Sequence, residues 1–251
     1  MIGAMDIEAL PAPGPARALL IDFGCVLTAP LGRAFGRLDA ELGLDHGTAL
    51  SLFGTHEGAR RALSEHEKGL LDDAGFEAAF GAALAEAGAS FVGAGAVGSD
   101  AGDGGDRAGE YGLLELLNEG LEIDEAMVAV VAEIRGTGVP VALVSNALGS
   151  TLYDGVDLAE IADSAVISAE IGVRKPSRQI YRVACERLGV APEVALMVDD
   201  LQQNLDGAER IGIRGILHTD AATTITELSQ AFDIELSTTP VEHTSTSHEG
   251  R

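Results

Sequence analysis

The sequence predicts an α/β protein, a doubly wound parallel sheet with a helical segment inserted after its first strand. Short apolar runs rich in Val, Ile and Leu alternate with helical patterns over most of the chain. Between Leu31 and Leu121 the strand signal disappears and Ala-rich helical segments take over. Acidic and polar residues stand directly after several of the apolar runs, at the strand ends where open α/β sheets bind their ligands.

The first strand is "ALLIDF", Ala18 to Phe23, an apolar run interrupted only by Asp22 and of the kind buried on both faces. Within the insert, Gly75 to Ala87 brings Phe76, Ala79, Phe80, Ala83 and Leu84 onto one helical face. "GAGAVGSDAGDGGDRAG", Gly93 to Gly109, has too few apolar side chains to offset its ordering entropy and reads as a flexible loop. Asp124 to Arg135 is a helix with Met127, Val130, Val131 and Ile134 inward, closed by Gly136. "VPVALVSN", Val139 to Asn146, is the second strand, and "SAVISA", Ser164 to Ala169, a weaker strand signal.

Ser177 to Leu188 is a helix with Ile180, Tyr181, Ala184, Cys185 and Leu188 inward and Gly189 as its stop. "VALMVDD", Val194 to Asp200, and "RGILHT", Arg214 to Thr219, complete a set of buried parallel strands. The expected division is a sheet-bearing core of residues 17–30 and 122–236 around a helical insert of 31–121. Residues 1–16 and 237–251 are expected to be disordered tails.

Forty acidic against 16 basic side chains give a formal net charge of −24. Such a chain is repelled by phosphate backbones and anionic lipid, so neither nucleic acid nor membrane is an expected partner, although one locally positive pocket can still hold a small anion. Two cysteines, Cys25 and Cys185, make neither a disulfide framework nor a CxxC metal signature, and Cys185 falls on a core-facing helix stripe. The first residues lack a basic stretch followed by an apolar one, and no apolar run approaches membrane-spanning length, so a cytoplasmic location is expected. The sequence sets no oligomeric state.

What stands at the carboxyl ends of the strands is Asp22, then Ser145 with Asn146, then Asp199 with Asp200. Lys175 sits in a loop before a helix, in "GVRKPSRQIY", and only it and Lys68 are lysines among the 16 basic residues. These are the groups that phosphoryl transfer requires. One carboxylate can attack phosphorus, others can hold a hard cation through oxygen, a hydroxyl and backbone N–H groups can bind phosphoryl oxygens, and an ammonium can offset developing charge.

The ordered segments "IDFGCVLT", "LVSNA", "VRKPSRQIY" and "MVDDLQQNLDGAERIGI" resemble the four motifs of the haloacid dehalogenase-like hydrolase superfamily, in the branch with a helical cap after the first strand. The resemblance covers roughly residues 17 to 236 and implies a Rossmann-like core acting on a small phosphorylated metabolite, with Mg²⁺ as cofactor. It implies that Asp22 is the nucleophile, forming a phosphoaspartyl intermediate, and that Ser145 and Asn146 meet the phosphate. Lys175 would stabilise Asp22 and the transferring group. Asp22, the Gly24 carbonyl, Asp199 and Asp200 would hold the metal, with Asn204 in support.

Gly24 departs from the pattern of most such phosphatases, which carry a second aspartate there to protonate the leaving oxygen and activate water. Losing that group removes roughly 10²–10⁴-fold of acid–base catalysis and favours substrates with good leaving groups, such as anomeric sugar, aryl and acyl phosphates. Sequences of the "DFGxVL" type form a recognisable subset of the superfamily. A positive φ at Gly24 is a further expected reason for glycine there. The rival readings are a metal-free 2-haloacid dehalogenase, which also lacks that aspartate, and a catalytically weak relative that binds phosphate or a protein. In the cap, His46, His56, Glu57, Glu65, His66 and Glu67 read as solvated helix faces, with none assigned to catalysis.

Overall fold

The computed structural model describes residues 15–90, 112–119 and 121–237. The predicted loop of residues 93–109 lies outside them, as does nearly all of both predicted tails.

Five parallel strands form one sheet in the order β3-β2-β1-β4-β5: β1 (Ala18–Ile21), β2 (Val141–Ser145), β3 (Ser164–Ile167), β4 (Ala195–Asp199) and β5 (Arg214–Leu217). The weak "SAVISA" signal is thus a true strand, pairing with β2 along Ala142↔Ser164 to Ser145↔Ile167. β5 departs from the expectation of a buried strand. It is an edge with a single neighbour, and only Ile216 of its four residues is buried.

Alternation of side chains across the sheet builds two cores. Leu19, Ile21, Leu143 and Val198 face α6 (Glu125–Gly136) and α11 (Ala221–Phe232). Ala18, Leu20, Ala142, Val144 and Met197 face α9 (Arg178–Leu188) and α10 (Gln202–Glu209). Both predicted core helices bury the expected faces, with Cys185 only 2% exposed and Leu188 partly buried. Asp124 caps α6 by accepting from the Met127 N–H at 3.1 Å. That helix runs one residue past Arg135, and Gly138, at φ 90°, takes the left-handed turn expected of Gly136. Gly189 ends α9 at φ 68°, as read.

Between β1 and α6 lie α1 (Leu31–Glu41), α2 (Thr48–Thr55), α3 (Glu57–His66), α4 (Asp73–Glu86) and α5 (Leu113–Glu119). They bury a separate cluster of Phe35, Leu38, Phe76, Phe80, Leu84, Leu114 and neighbours, in which α4 contributes the predicted stripe. The short helices α7 (Leu158–Ile161) and α8 (Ser168–Ile171) complete the connections around β3. None of the described helices is long and apolar enough to cross a membrane.

Two residues assigned to the predicted tails make defined contacts. Ala16, assigned to the tail, is buried, and its N–H donates to the Ala231 carbonyl at 2.8 Å. The Ser237 N–H donates to Glu133 Oε2 at 3.0 Å.

Candidate active site

β1 is flanked by β2 and β4, so its carboxyl end opens where chain connections diverge to either side. Register brings the acids together. Ile21 pairs with Val198, so the next residue on each strand, Asp22 and Asp199, emerges side by side, with the Asp22 N–H donating to the Val198 carbonyl at 3.0 Å.

Lys175 joins them from the loop before α9, only 1% exposed. Its Nζ lies 2.6 Å from Asp22 Oδ1 and 2.8 Å from Asp199 Oδ2. The other Asp199 oxygen accepts from the Leu201 N–H at 2.9 Å and from Asn204 Nδ2 at 2.8 Å, so both of its oxygens are occupied. Asp22 Oδ1 also accepts from the Phe23 N–H at 2.7 Å. Asp22, Asp199 and Asp200 each place a carboxylate oxygen within 4.8 Å of the others.

Three carboxylates against one ammonium leave a surplus of negative charge in a buried place. Burial pushes the Asp22 carboxyl up to about 7, with Asp199 and Asp200 adding to the effect and Lys175 opposing it. Burial and Asp199 likewise raise Asp200. For Lys175, burial works against the charge, but Asp22 and Asp199 outweigh it and hold the ammonium above its ordinary range. Hard carboxylate oxygens with excess negative charge are what a small divalent cation requires.

Ser145 closes β2, 1% exposed. The side chain of Asn146, which is expected at the phosphate, bonds the backbone of Lys175. Its Oδ1 accepts from the Lys175 N–H at 2.8 Å, and its Nδ2 donates to the Lys175 carbonyl at 3.3 Å.

Gly24 lies in the turn after β1, and its φ is not positive. The left-handed residue is its neighbour Cys25, at φ 60°, whose Sγ accepts from the Leu31 N–H at 3.3 Å. A Cβ on Gly24 would meet nothing within 4 Å. The expected backbone reason for this glycine is therefore absent, and the space beside it is open. Burial pushes the Cys25 thiol up to about 12, which leaves it protonated and unreactive.

The solvated-face reading fails for two of the insert residues. His66 and Glu67 are buried, 5% and 7% exposed. His66 Nε2 lies 2.8 Å from Asp73 Oδ1, while Asp73 Oδ2 accepts from the Ser150 hydroxyl at 2.6 Å and its N–H at 3.1 Å. Glu67 Oε2 lies 2.8 Å from the guanidinium of Arg174, the residue before Lys175. His56 is a structural residue: its Nδ1 caps α3 by accepting from the Ala59 N–H at 3.1 Å, and its Nε2 is 3.2 Å from Glu86.

A parallel α/β sheet with an acid cluster and a buried lysine at its carboxyl edge defines the class of protein. Residues 24–212 match the family model described as haloacid dehalogenase-like hydrolase, and the chain belongs to that family. A phosphoserine phosphatase of Thermus thermophilus is 36% identical over 92 residues, which are 35% of this chain and 37% of that protein. This chain therefore matches little more than a third of that curated relative's length. A crystal structure of a dehalogenase shares the fold with a TM-score of 0.61 at 20% identity, covering 86% of this chain and 96% of that one. A HAD family enzyme of Bacteroides thetaiotaomicron, crystallised with magnesium and inorganic phosphate, gives a TM-score of 0.54 at 19% identity over 80% of this chain and 93% of that one.

Proposed function

We propose that this protein is a Mg²⁺-dependent phosphatase of a small phosphomonoester, acting through a phosphoaspartyl intermediate on Asp22. The observation that carries the reading is Lys175 Nζ bridging Asp22 and Asp199 at 2.6 and 2.8 Å, with Asp200 beside them. A nucleophilic carboxylate, a fixed cation and a hard-ligand cluster are the parts that in-line phosphoryl transfer needs.

In the first step an Asp22 carboxylate oxygen bonds to phosphorus, the ester P–O bond breaks, and its electron pair stays on the departing oxygen. Lys175 keeps Asp22 oriented and offsets charge as it develops on the phosphoryl group. In the second step water attacks the same phosphorus, releasing orthophosphate and restoring Asp22. Asp22, Asp199, Asp200 and the Gly24 carbonyl would hold Mg²⁺, which when bound supplies charge neutralisation for the phosphoryl oxygens. Asn204 supports that set by fixing one oxygen of Asp199. Ser145 would meet a phosphoryl oxygen, and Asn146 would act by positioning Lys175.

Without a carboxyl group at Gly24, the substrates best served are those whose leaving oxygen tolerates negative charge, sugar 1-phosphates among them. The experiment is a steady-state assay of an aryl phosphate and a 2-haloacid, each with and without Mg²⁺. Mg²⁺-dependent turnover of the phosphate alone is the expected result. Metal-independent release of halide would support the dehalogenase reading, and inertness towards both would support a binding protein.

A further inference from the structure

The loop between β2 and α7 carries a phenol that the mechanism above leaves unused. Tyr153 lies on the carboxyl side of the sheet, and its ring meets Phe23 edge to face, with centroids 5.0 Å apart and planes at 64°. Phe23 is the residue directly after Asp22, so the contact fixes the ring next to the nucleophile's own turn.

The Tyr153 hydroxyl oxygen is buried and has no hydrogen-bond partner among the described residues. A buried polar atom left unpaired costs about 1–3 kcal/mol, and phenylalanine would fill the same space without that cost. Of the groups that bear on this hydroxyl, the Ser145 hydroxyl and the Asp22 carboxylate belong to the site, and the carboxylates of Glu170 and Glu67 lie beyond it. Burial first, and those carboxylates after it, hold the phenol proton well above its ordinary range, so the group remains a neutral donor. Among carboxylates, such a neutral donor suits an anionic oxygen brought in by a ligand.

We propose that Tyr153 is a catalytic residue of this site, donating a hydrogen bond from its hydroxyl to a non-bridging phosphoryl oxygen while the group passes to Asp22. The assignment rests on the phosphatase reading. No proton is transferred from Tyr153. As the Asp22 oxygen bonds to phosphorus and the ester bond breaks, the electron pair leaves with the substrate oxygen, and the O–H dipole meets the charge on the equatorial oxygens beside Ser145.

The test is Tyr153→Phe, which keeps the ring against Phe23 and removes one oxygen. With Mg²⁺ and an aryl phosphate, kcat should fall at least about tenfold while KM changes less than about threefold, the pattern of an interaction made in the transition state. Inhibition by orthovanadate, a mimic of five-coordinate phosphorus, should weaken by a similar factor, and the melting temperature should hold or rise. Unchanged kcat and vanadate inhibition would overturn the role of Tyr153 and leave the phosphatase reading standing. A slower variant with a lowered melting temperature, reproduced by Phe23→Leu with the hydroxyl still present, would assign the effect to ring packing and also overturn it. If wild-type protein is no faster than Asp22→Asn, the phosphatase reading itself fails, and the role of Tyr153 with it.

Discussion

Asn146 grips Lys175 by its backbone, accepting from the N–H at 2.8 Å and donating to the carbonyl at 3.3 Å. The end of β2 thereby sets where the lysine ammonium can reach. Asn146→Ala leaves two backbone groups without their partner, for a cost of about 1–3 kcal/mol in chemical denaturation. We expect kcat to fall with a smaller change in KM, because Lys175 remains but loses its fixed position. Equal activity with reduced stability would mean that the loop holds Lys175 without this clasp.

Lys175→Met should be costly in the metal-free protein, since Asp22 and Asp199 then share a buried space without the ammonium between them. Breaking a buried ion pair from one side typically costs about 3–5 kcal/mol. Added Mg²⁺ should raise the melting temperature of this variant more than that of the wild type, because a cation bound to the folded state replaces the lost charge. The same Mg²⁺-induced shift in both proteins would count against a shared electrostatic site.

Gly24→Asp should fold, since the backbone there is not left-handed and a Cβ finds open space. The wild type should hydrolyse aryl phosphates far faster than alkyl phosphates when chemistry is rate-limiting. The new carboxyl group should flatten that dependence by protonating the poorer leaving oxygens. A series of substituted phenyl and alkyl phosphates measures it, and a wild-type rate indifferent to leaving group would show that another residue already supplies the proton.

Glu67 gives a pH dependence of stability. Burial pushes its carboxyl from 4.5 up to about 7, against the opposing charges of Arg174, Lys175 and Lys68. The folded state thus keeps a proton that the unfolded chain has lost, so the contribution is full below about pH 4.5 and disappears as pH rises through about 7. Relative to Glu67→Gln, the wild type should lose on the order of 3 kcal/mol across that window, the free energy equivalent of a shift of this size. Denaturation of both proteins at several pH values checks it, and parallel curves would contradict it.

The sheet is legible because its strands are apolar runs, and Asp22 and Asp199 stand out at the ends of β1 and β4, whereas Lys175 is marked by its loop and by the scarcity of lysine. Asn204, which the resemblance implies as a support, donates to Asp199. What could not be read was pairing at a distance. The clasp of Asn146 on the Lys175 backbone is one such pairing. Glu67 and His66 look like solvated helix residues because periodicity reports one helix and says nothing of the core it docks against. Tyr153 left no signal, being one aromatic in a loop whose course is set by tertiary contacts. β5 reads as buried in the sequence because an apolar run records hydrophobicity and not whether a second neighbour covers the strand.

The central claim is that Asp22 forms a covalent bond to phosphorus. Its most direct test is acid-quenching the protein during turnover of a ³²P-labelled aryl phosphate or acyl phosphate in Mg²⁺, then mapping the label. The account predicts a Mg²⁺-dependent, hydroxylamine-labile label on the peptide containing Asp22, absent from Asp22→Asn, which should be inactive yet fold normally because the two side chains are nearly isosteric. Normal turnover by Asp22→Asn, or a label carried by any other residue, would contradict it.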